Sequence, residues 1–195
     1  MLIRNGDSYY SHHPSAFNCL LPSPLHHLHG IMKLGLILPA DIPISYLEDL
    51  QYCSFPYLEE LSLSACLTPS ILILMRHNNL HICELYITSN LDSRNQAPPC
   101  TFPELKVYRG DFKFILAFLP RSPVQQINIT HRVFGLDNME HIISALSRTT
   151  QSVKEISIYS VWDLRIFDGL SHHAPCLIDI FFRADGEDLS MIEVK

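Results

Sequence analysis

The chain has no paired C-x-x-C cysteines, no run of five like charges and no long apolar stretch. Its six cysteines, Cys19, Cys53, Cys66, Cys83, Cys100 and Cys176, are scattered, which excludes the close-spaced framework of a zinc site or a disulfide-stapled domain. That scatter, with the habit of cysteine to be buried, predicts reduced thiols in a cytoplasmic or nuclear protein. The longest apolar run, residues 71–75, falls far short of the ~20 residues that cross a bilayer. The N-terminal residues also lack an apolar core of signal-peptide length. No membrane partner and no secretory route are expected, and the sequon Asn128-Ile129-Thr130 reads as a coincidence within a strand.

Glycine is scarce at seven residues, and no Walker loop, G-x-G-x-x-G or G-x-S-x-G occurs. Phosphate cradles and the nucleophile elbow are therefore missing, and no catalytic residues or cofactor are expected. Lysine and arginine total 14 against 20 acidic residues, a net charge of −6, which argues against nucleic acid as a partner. Histidine is plentiful at eleven, with His77 and His81 four apart and His26, His27 and His29 clustered. The stretch His77-Asn78-Asn79-Leu80-His81 lacks the glutamate of H-E-x-x-H, so these read as solvated loop histidines and no metal is expected.

What the chain does have is a repeat. An apolar residue, two others, an apolar, one other and an apolar recur at Ile31-Leu34-Leu36, Leu58-Leu61-Leu63, Ile82-Leu85-Ile87, Phe102-Leu105-Val107, Val124-Ile127-Ile129, Val153-Ile156-Ile158 and Leu177-Ile180-Phe182. The steps are 27, 24, 20, 22, 29 and 24 residues. That spacing with L-x-x-L-x-L marks leucine-rich repeats. The expectation is an α/β fold, a curved leucine-rich-repeat solenoid of about six or seven irregular repeats. Its parallel strands would line the concave face and its helices the convex face. Helical returns are predicted at 70–77 behind Pro69, at 111–119 ending at Pro120, at 136–148 with Asp137 as N-cap, and at 161–170. Residues 1–30 read as an irregular leader with a helical turn near 20–28, and 31–195 as the repeat domain. The end at 191–195 reads as a partial, uncapped strand, so the domain is expected to be incomplete there.

Two units open on the same phrase, Phe55-Pro56-Tyr57-Leu58 and Phe102-Pro103-Glu104-Leu105, and one helix ends in Leu119-Pro120-Arg121-Ser122-Pro123-Val124. Over residues 55–182 this resembles the degenerate leucine-rich repeats of F-box-type proteins of mushroom-forming fungi. The resemblance implies a substrate-recruiting protein-interaction module of a ubiquitin ligase component, with a ligase adaptor as partner if an F-box is supplied elsewhere. Leu21-Pro22-Ser23-Pro24-Leu25 offers only the opening of an F-box, and none is recognisable in 1–30. The alternatives are a stand-alone repeat scaffold or receptor-type binding protein, and a truncated paralogue without function.

Between the apolar strand positions, side chains should point to the open face of the sheet. The first such column reads Glu60, Glu84, Glu104, Gln126, Glu155, Asp179; the second Ser62, Tyr86, Lys106, Asn128, Ser157, Phe181; the third Ser64, Thr88, Tyr108, Thr130, Tyr159, Arg183. Five of the six positions in the first column are acidic. The expectation is an acidic ladder flanked by Tyr86, Tyr108, Tyr159 and Phe181, with Arg183 at its end, that engages a basic protein or peptide.

Overall fold

An extended chain sends alternate side chains to opposite faces, so each apolar triplet should yield a strand with one dry face. The computed structural model describes residues 2–5, 8–11, 29–38, 48–88, 99–133, 136–160 and 165–183. Its chain gathers into two compact units, Met1–Asn95 and Gln96–Lys195. In the first unit, β1 (Leu2–Asn5) and β2 (Ser8–Ser11) form an antiparallel pair, and β1 also runs antiparallel to β3 (Lys33–Ile37). β3, β4 (Glu60–Ser64) and β5 (Glu84–Thr88) are parallel, with Leu34, Leu61 and Leu85 in one row. A 3-10 turn, Asp49–Tyr52, links β3 to β4, and α1 (Pro69–His77) links β4 to β5.

The second unit holds four parallel strands, β6 (Val107–Gly110), β7 (Gln126–Val133), β8 (Glu155–Ser160) and β9 (Asp179–Arg183). The returns are a 3-10 turn, Phe112–Phe114, running into α2 (Ile115–Phe118), then α3 (Leu136–Leu146) and α4 (Arg165–His173). The fold is α/β with parallel strands, and a strand accompanies each of the seven triplets, the fourth displaced toward the C-terminus. Three details differ from expectation. The leader contains the β1–β2 pair, α3 begins one residue before Asp137, and α4 runs on past 170 to His173, while 161–164 lie outside the described residues. The helical turn predicted at 20–28 and the partial strand at 191–195 lie outside the described residues.

One backbone joint recurs at every described step. The carbonyl of Met32 accepts the consecutive amides of Glu59 and Glu60 at 2.8 and 3.0 Å, and that of Glu59 accepts those of Cys83 and Glu84. In the second unit Lys106 O accepts from Gln125 and Gln126, Gln125 O from Lys154 and Glu155, and Lys154 O from Ile178 and Asp179. Each acceptor is the residue after the first apolar position, and each donor pair begins at the same position one repeat later. Since each strand residue has one amide to satisfy, this joint sets the register of one repeat on the next without side chains.

That register corrects the fourth triplet. Tyr108 stands opposite Ile127 and Gly110 opposite Ile129, so the inward positions are Leu105, Tyr108 and Gly110, not Phe102, Leu105 and Val107. Leu105 therefore matches Leu58, as the shared F-P-x-L phrase already implies, and the first positions fall at 31, 58, 82, 105, 124, 153 and 177. Phe55 and Phe102 instead lie ahead of the strand, buried at the start of a tight turn. Leu58 N donates to Phe55 O at 3.1 Å, and Leu105 N to Phe102 O at 3.3 Å. Ala174-Pro175-Cys176-Leu177 repeats the turn at 3.0 Å. Proline suits its second position because its ring fixes φ near the turn value.

Tyr108 fills the row that leucine or isoleucine fills elsewhere, and Gly110 leaves room two residues on. A large and a small residue thus replace two of middle size. The Tyr108 hydroxyl donates to Asp111 O at 2.8 Å. Burial, reinforced by the charge of Asp111, raises this phenol well above its ordinary range, so it stays neutral. The second core is aromatic, with Phe102 edge-on to Phe118 at 5.8 Å and Phe114 at 6.0 Å from Phe118. The first is aliphatic, built from Leu34, Leu61, Leu63, Ile71, Leu74, Leu85 and Ile87, each worth roughly 1.5–3 kcal/mol on burial.

Two buried polar residues tie the helices to these turns. Asn78, at the C-cap of α1, accepts from Phe55 N and donates through Nδ2 to Cys53 O at 3.1 Å and Leu74 O at 2.8 Å. Ser122 accepts from Phe102 N at 3.3 Å and donates to Phe118 O at 3.0 Å. Each bonds the carbonyl four residues back and the amide of the phenylalanine that opens F-P-x-L.

Candidate functional site: the open face of the parallel strands

With the register corrected, the outward positions can be assigned strand by strand. In the first unit they are Lys33, Gly35 and Ile37 on β3, Glu60, Ser62 and Ser64 on β4, and Glu84, Tyr86 and Thr88 on β5. In the second they are Val107 and Arg109 on β6, Gln126 and Asn128 on β7, Glu155, Ser157 and Tyr159 on β8, and Asp179 and Phe181 on β9. Parallel neighbours sit about 5 Å apart, so each row is a line of adjacent side chains.

Two expected site residues do not belong to this face. Tyr108 is fully buried, because its strand position faces the core. Glu104 lies in the F-P-x-L turn ahead of β6, exposed but outside the sheet; Val107 takes the place assigned to it, and Arg109 that assigned to Lys106. The other expected residues, Glu60, Glu84, Tyr86, Glu155, Tyr159, Asp179 and Phe181, stand on outward positions. Arg183 closes β9 opposite Tyr159.

The acidic column is shorter and better compensated than the sequence suggests. Lys33 forms an ion pair with Glu60, the Tyr86 hydroxyl donates to Glu84 Oε2 at 2.8 Å, and Gln126 Nε2 donates to Glu155. In each case a donor sits on the same row or two residues along the same strand, so like charges do not simply stack. Sequence reasoning missed Lys33, whose triplet Ile31-Leu34-Leu36 was recognised but not carried into the columns.

The remaining character of the face is small, polar and aromatic. Ser62, Ser64, Asn128 and Ser157 are half-buried, while Phe181 keeps 44% of its surface exposed and Ile37 55%. Phe181 lies directly beside Ser157, whose side chain is too short to cover a ring. Exposed apolar groups also mark the strand-starting turns of the first unit at Met32, Tyr57 and Leu80.

Among the described residues no three His, Cys, Asp or Glu side chains converge as a metal site requires. His77 is exposed, with Nδ1 at 2.9 Å from Gln51 O. No disulfide joins Cys53, Cys66, Cys83, Cys100 or Cys176. Among the described residues no helix is long and apolar enough to cross a membrane. Comparison with protein families, with curated protein sequences and with solved structures finds no match to the chain.

Proposed function

We propose that this chain is a protein-recognition module, an irregular leucine-rich-repeat solenoid that binds a partner on the open face of its parallel strands. The observation that carries this reading is Phe181, a large aromatic side chain left 44% exposed in a row of short polar ones. Exposed aromatic groups on a rigid surface are the usual anchors of protein interfaces, and short neighbours let a partner reach them. In the same unit Tyr159 extends that surface, able to contribute an apolar ring and a hydroxyl, and Tyr86 offers the same groups on the open face of the first unit. The partners of Glu60 and Glu84 in the first unit and of Glu155 in the second make each open face polar without making it strongly acidic, so on the second unit a partner is held by the rings first and by Glu155 and Asp179 second.

The recurrence of the F-P-x-L turn in both units supports the resemblance to F-box-type repeats, and through it the recruitment of substrate to a ubiquitin ligase. Affinity purification of the chain and of a Phe181→Ala, Tyr159→Ala variant tests the reading. Phe181 is exposed and Tyr159 half-buried, so the thermal midpoint is measured beside recovery, and the variant should lose most recovered partners while still folded. Recovery of an unchanged partner set by the variant would refute it. Adaptor co-purifying with the wild-type chain would support the ligase link, and its absence would leave recognition standing without that link.

A further inference from the structure

The strand-starting edge of the second unit has a charge opposite to that of the whole chain. Four loops or turns meet there, at 99–106, 119–125, 147–154 and 174–178. They carry Lys106, Arg121, Arg148 and Lys154, all exposed, against one carboxylate, Glu104. None of the four cations forms an ion pair with a carboxylate among the described residues. In a chain of net charge −6 these loops hold an excess of three positive charges, with Glu155 and Asp179 at the first outward positions of the strands that follow.

Their placement is built by the backbone. Lys106, Gln125 and Lys154 are successive members of the recurring joint, Lys106 O taking Gln125 N and Gln125 O taking Lys154 N. The two lysines are thus two strands apart, about 10 Å. Arg121 N donates to Arg148 O at 2.8 Å, which holds the two arginine loops side by side. Between the pairs, Gln125 Nε2 donates to Gln151 Oε1 at 2.7 Å.

Arg121 sits where an arginine is unfavourable. The turn at 119–122 closes with Ser122 N on Leu119 O at 3.0 Å, has Pro120 second and Arg121 third, and gives Arg121 a φ of 66°. That position of a type II turn favours glycine, and a residue with a Cβ is strained there. The turn therefore carries a cation at a site where glycine would fold better, beside a second arginine and with no ion pair to a carboxylate among the described residues.

We infer that this edge binds an anionic segment of a partner protein, laid across the strand starts with acidic side chains on Lys106, Lys154 and the Arg121–Arg148 pair. A segment in the polyproline II conformation advances about 3.1 Å per residue with three residues per turn, so acidic residues three apart share one face and match the ~10 Å between the lysines. Two arginines on adjoining loops suit carboxylate or phosphate oxygens, which a guanidinium can hold by two parallel hydrogen bonds. This surface is separate from the open sheet face, so its failure and that of the recognition reading are distinguishable.

The test is fluorescence anisotropy with the full chain and labelled peptides of about twelve residues bearing glutamate, phosphoserine or lysine at every third position. Binding of the glutamate or phosphoserine peptide, weakening as salt rises, is expected, with no binding of the lysine peptide. The glutamate and phosphoserine arms show which anion the edge prefers. Lys106→Gln with Lys154→Gln should weaken binding roughly tenfold, and Arg121→Gly with Arg148→Gln by at least as much, since each removes two cations from the contact. Arg121→Gly relieves backbone strain, so loss of binding there cannot be assigned to a weakened fold, and the lysine variant serves if the arginine one does not fold. Equal binding by wild type and both variants overturns the proposal. So does a short DNA duplex that binds as tightly as the acidic peptides, because the edge would then be a general polyanion surface.

Discussion

Replacing Asn78 with alanine would strand three buried backbone groups, the amide of Phe55 and the carbonyls of Cys53 and Leu74. A buried polar group left unpaired costs about 1–3 kcal/mol, and partial relaxation will spare some of the total, so a loss of about 3 kcal/mol is expected. Ser122→Ala strands the amide of Phe102 and should cost about 1–2 kcal/mol. Urea midpoints give the order, and a smaller loss for Asn78→Ala than for Ser122→Ala would break the parallel between the two ties. Tyr108 supplies a pH-dependent counterpart. Its folded-state pKa is raised above the ordinary value near 10, so its contribution is whole below that pH and fades as pH rises past it, where the unfolded chain releases a proton that the folded chain keeps. Tyr108→Phe should cost about 1 kcal/mol at neutral pH through the lost bond to Asp111 O. Its deficit relative to wild type should shrink above about pH 10, and a constant deficit across that range would contradict the burial.

Among the elements, α4 packs against Ile143 of α3 at Gly169. A Cβ built there would lie 2.3 Å from Ile143 Cδ1 and 3.2 Å from its Cγ1. Helix propensity alone favours alanine over glycine by about 1 kcal/mol. Gly169→Ala should therefore gain nothing in the wild-type background and gain about that amount with Ile143→Val, which deletes the obstructing methyl. Equal gains in both backgrounds would mean the helices are not in this contact. The strands show how far spacing alone can be read. All seven were legible because the core needs an apolar side chain at nearly every inward position. The fourth was misframed because its inward residues are Tyr108 and Gly110, one amphipathic and one without a side chain, while Phe102 and Val107 happened to satisfy the same intervals. The repeated phrase around Pro56 and Pro103 held the correct alignment, since a turn constrains every residue in it and an apolar interval does not. Asn78 and Ser122 were illegible for a different reason. A polar residue after a helix looks solvated until the chain folds an amide and a carbonyl onto it. The site suffered most, because one misframed strand moved Glu104 and Tyr108 onto a face that neither occupies.

At the scale of the whole molecule, the two compact units each enclose a core, aliphatic in one and aromatic in the other. A fragment of residues 96–195 expressed alone should show a cooperative thermal transition by circular dichroism, since Phe102, Phe114 and Phe118 pack on one another and Tyr108 bonds Asp111 within it. A featureless melt would show that this core depends on the first unit. Consecutive first positions are separated by 27, 24, 23, 19, 29 and 24 residues, a range of ten. The carbonyl that takes two successive amides explains how strands so unevenly spaced keep one register within each unit. It joins only the strand starts, so a return segment can lengthen by a turn or shed one without shifting the register. Leucines can likewise be exchanged, as Tyr108 shows, because the joint reads no side chain. Insertions into the returns at 111–119 or 136–148 should leave the strand rows aligned, and mutation in a lineage can reshape one side of this protein while the other keeps its spacing.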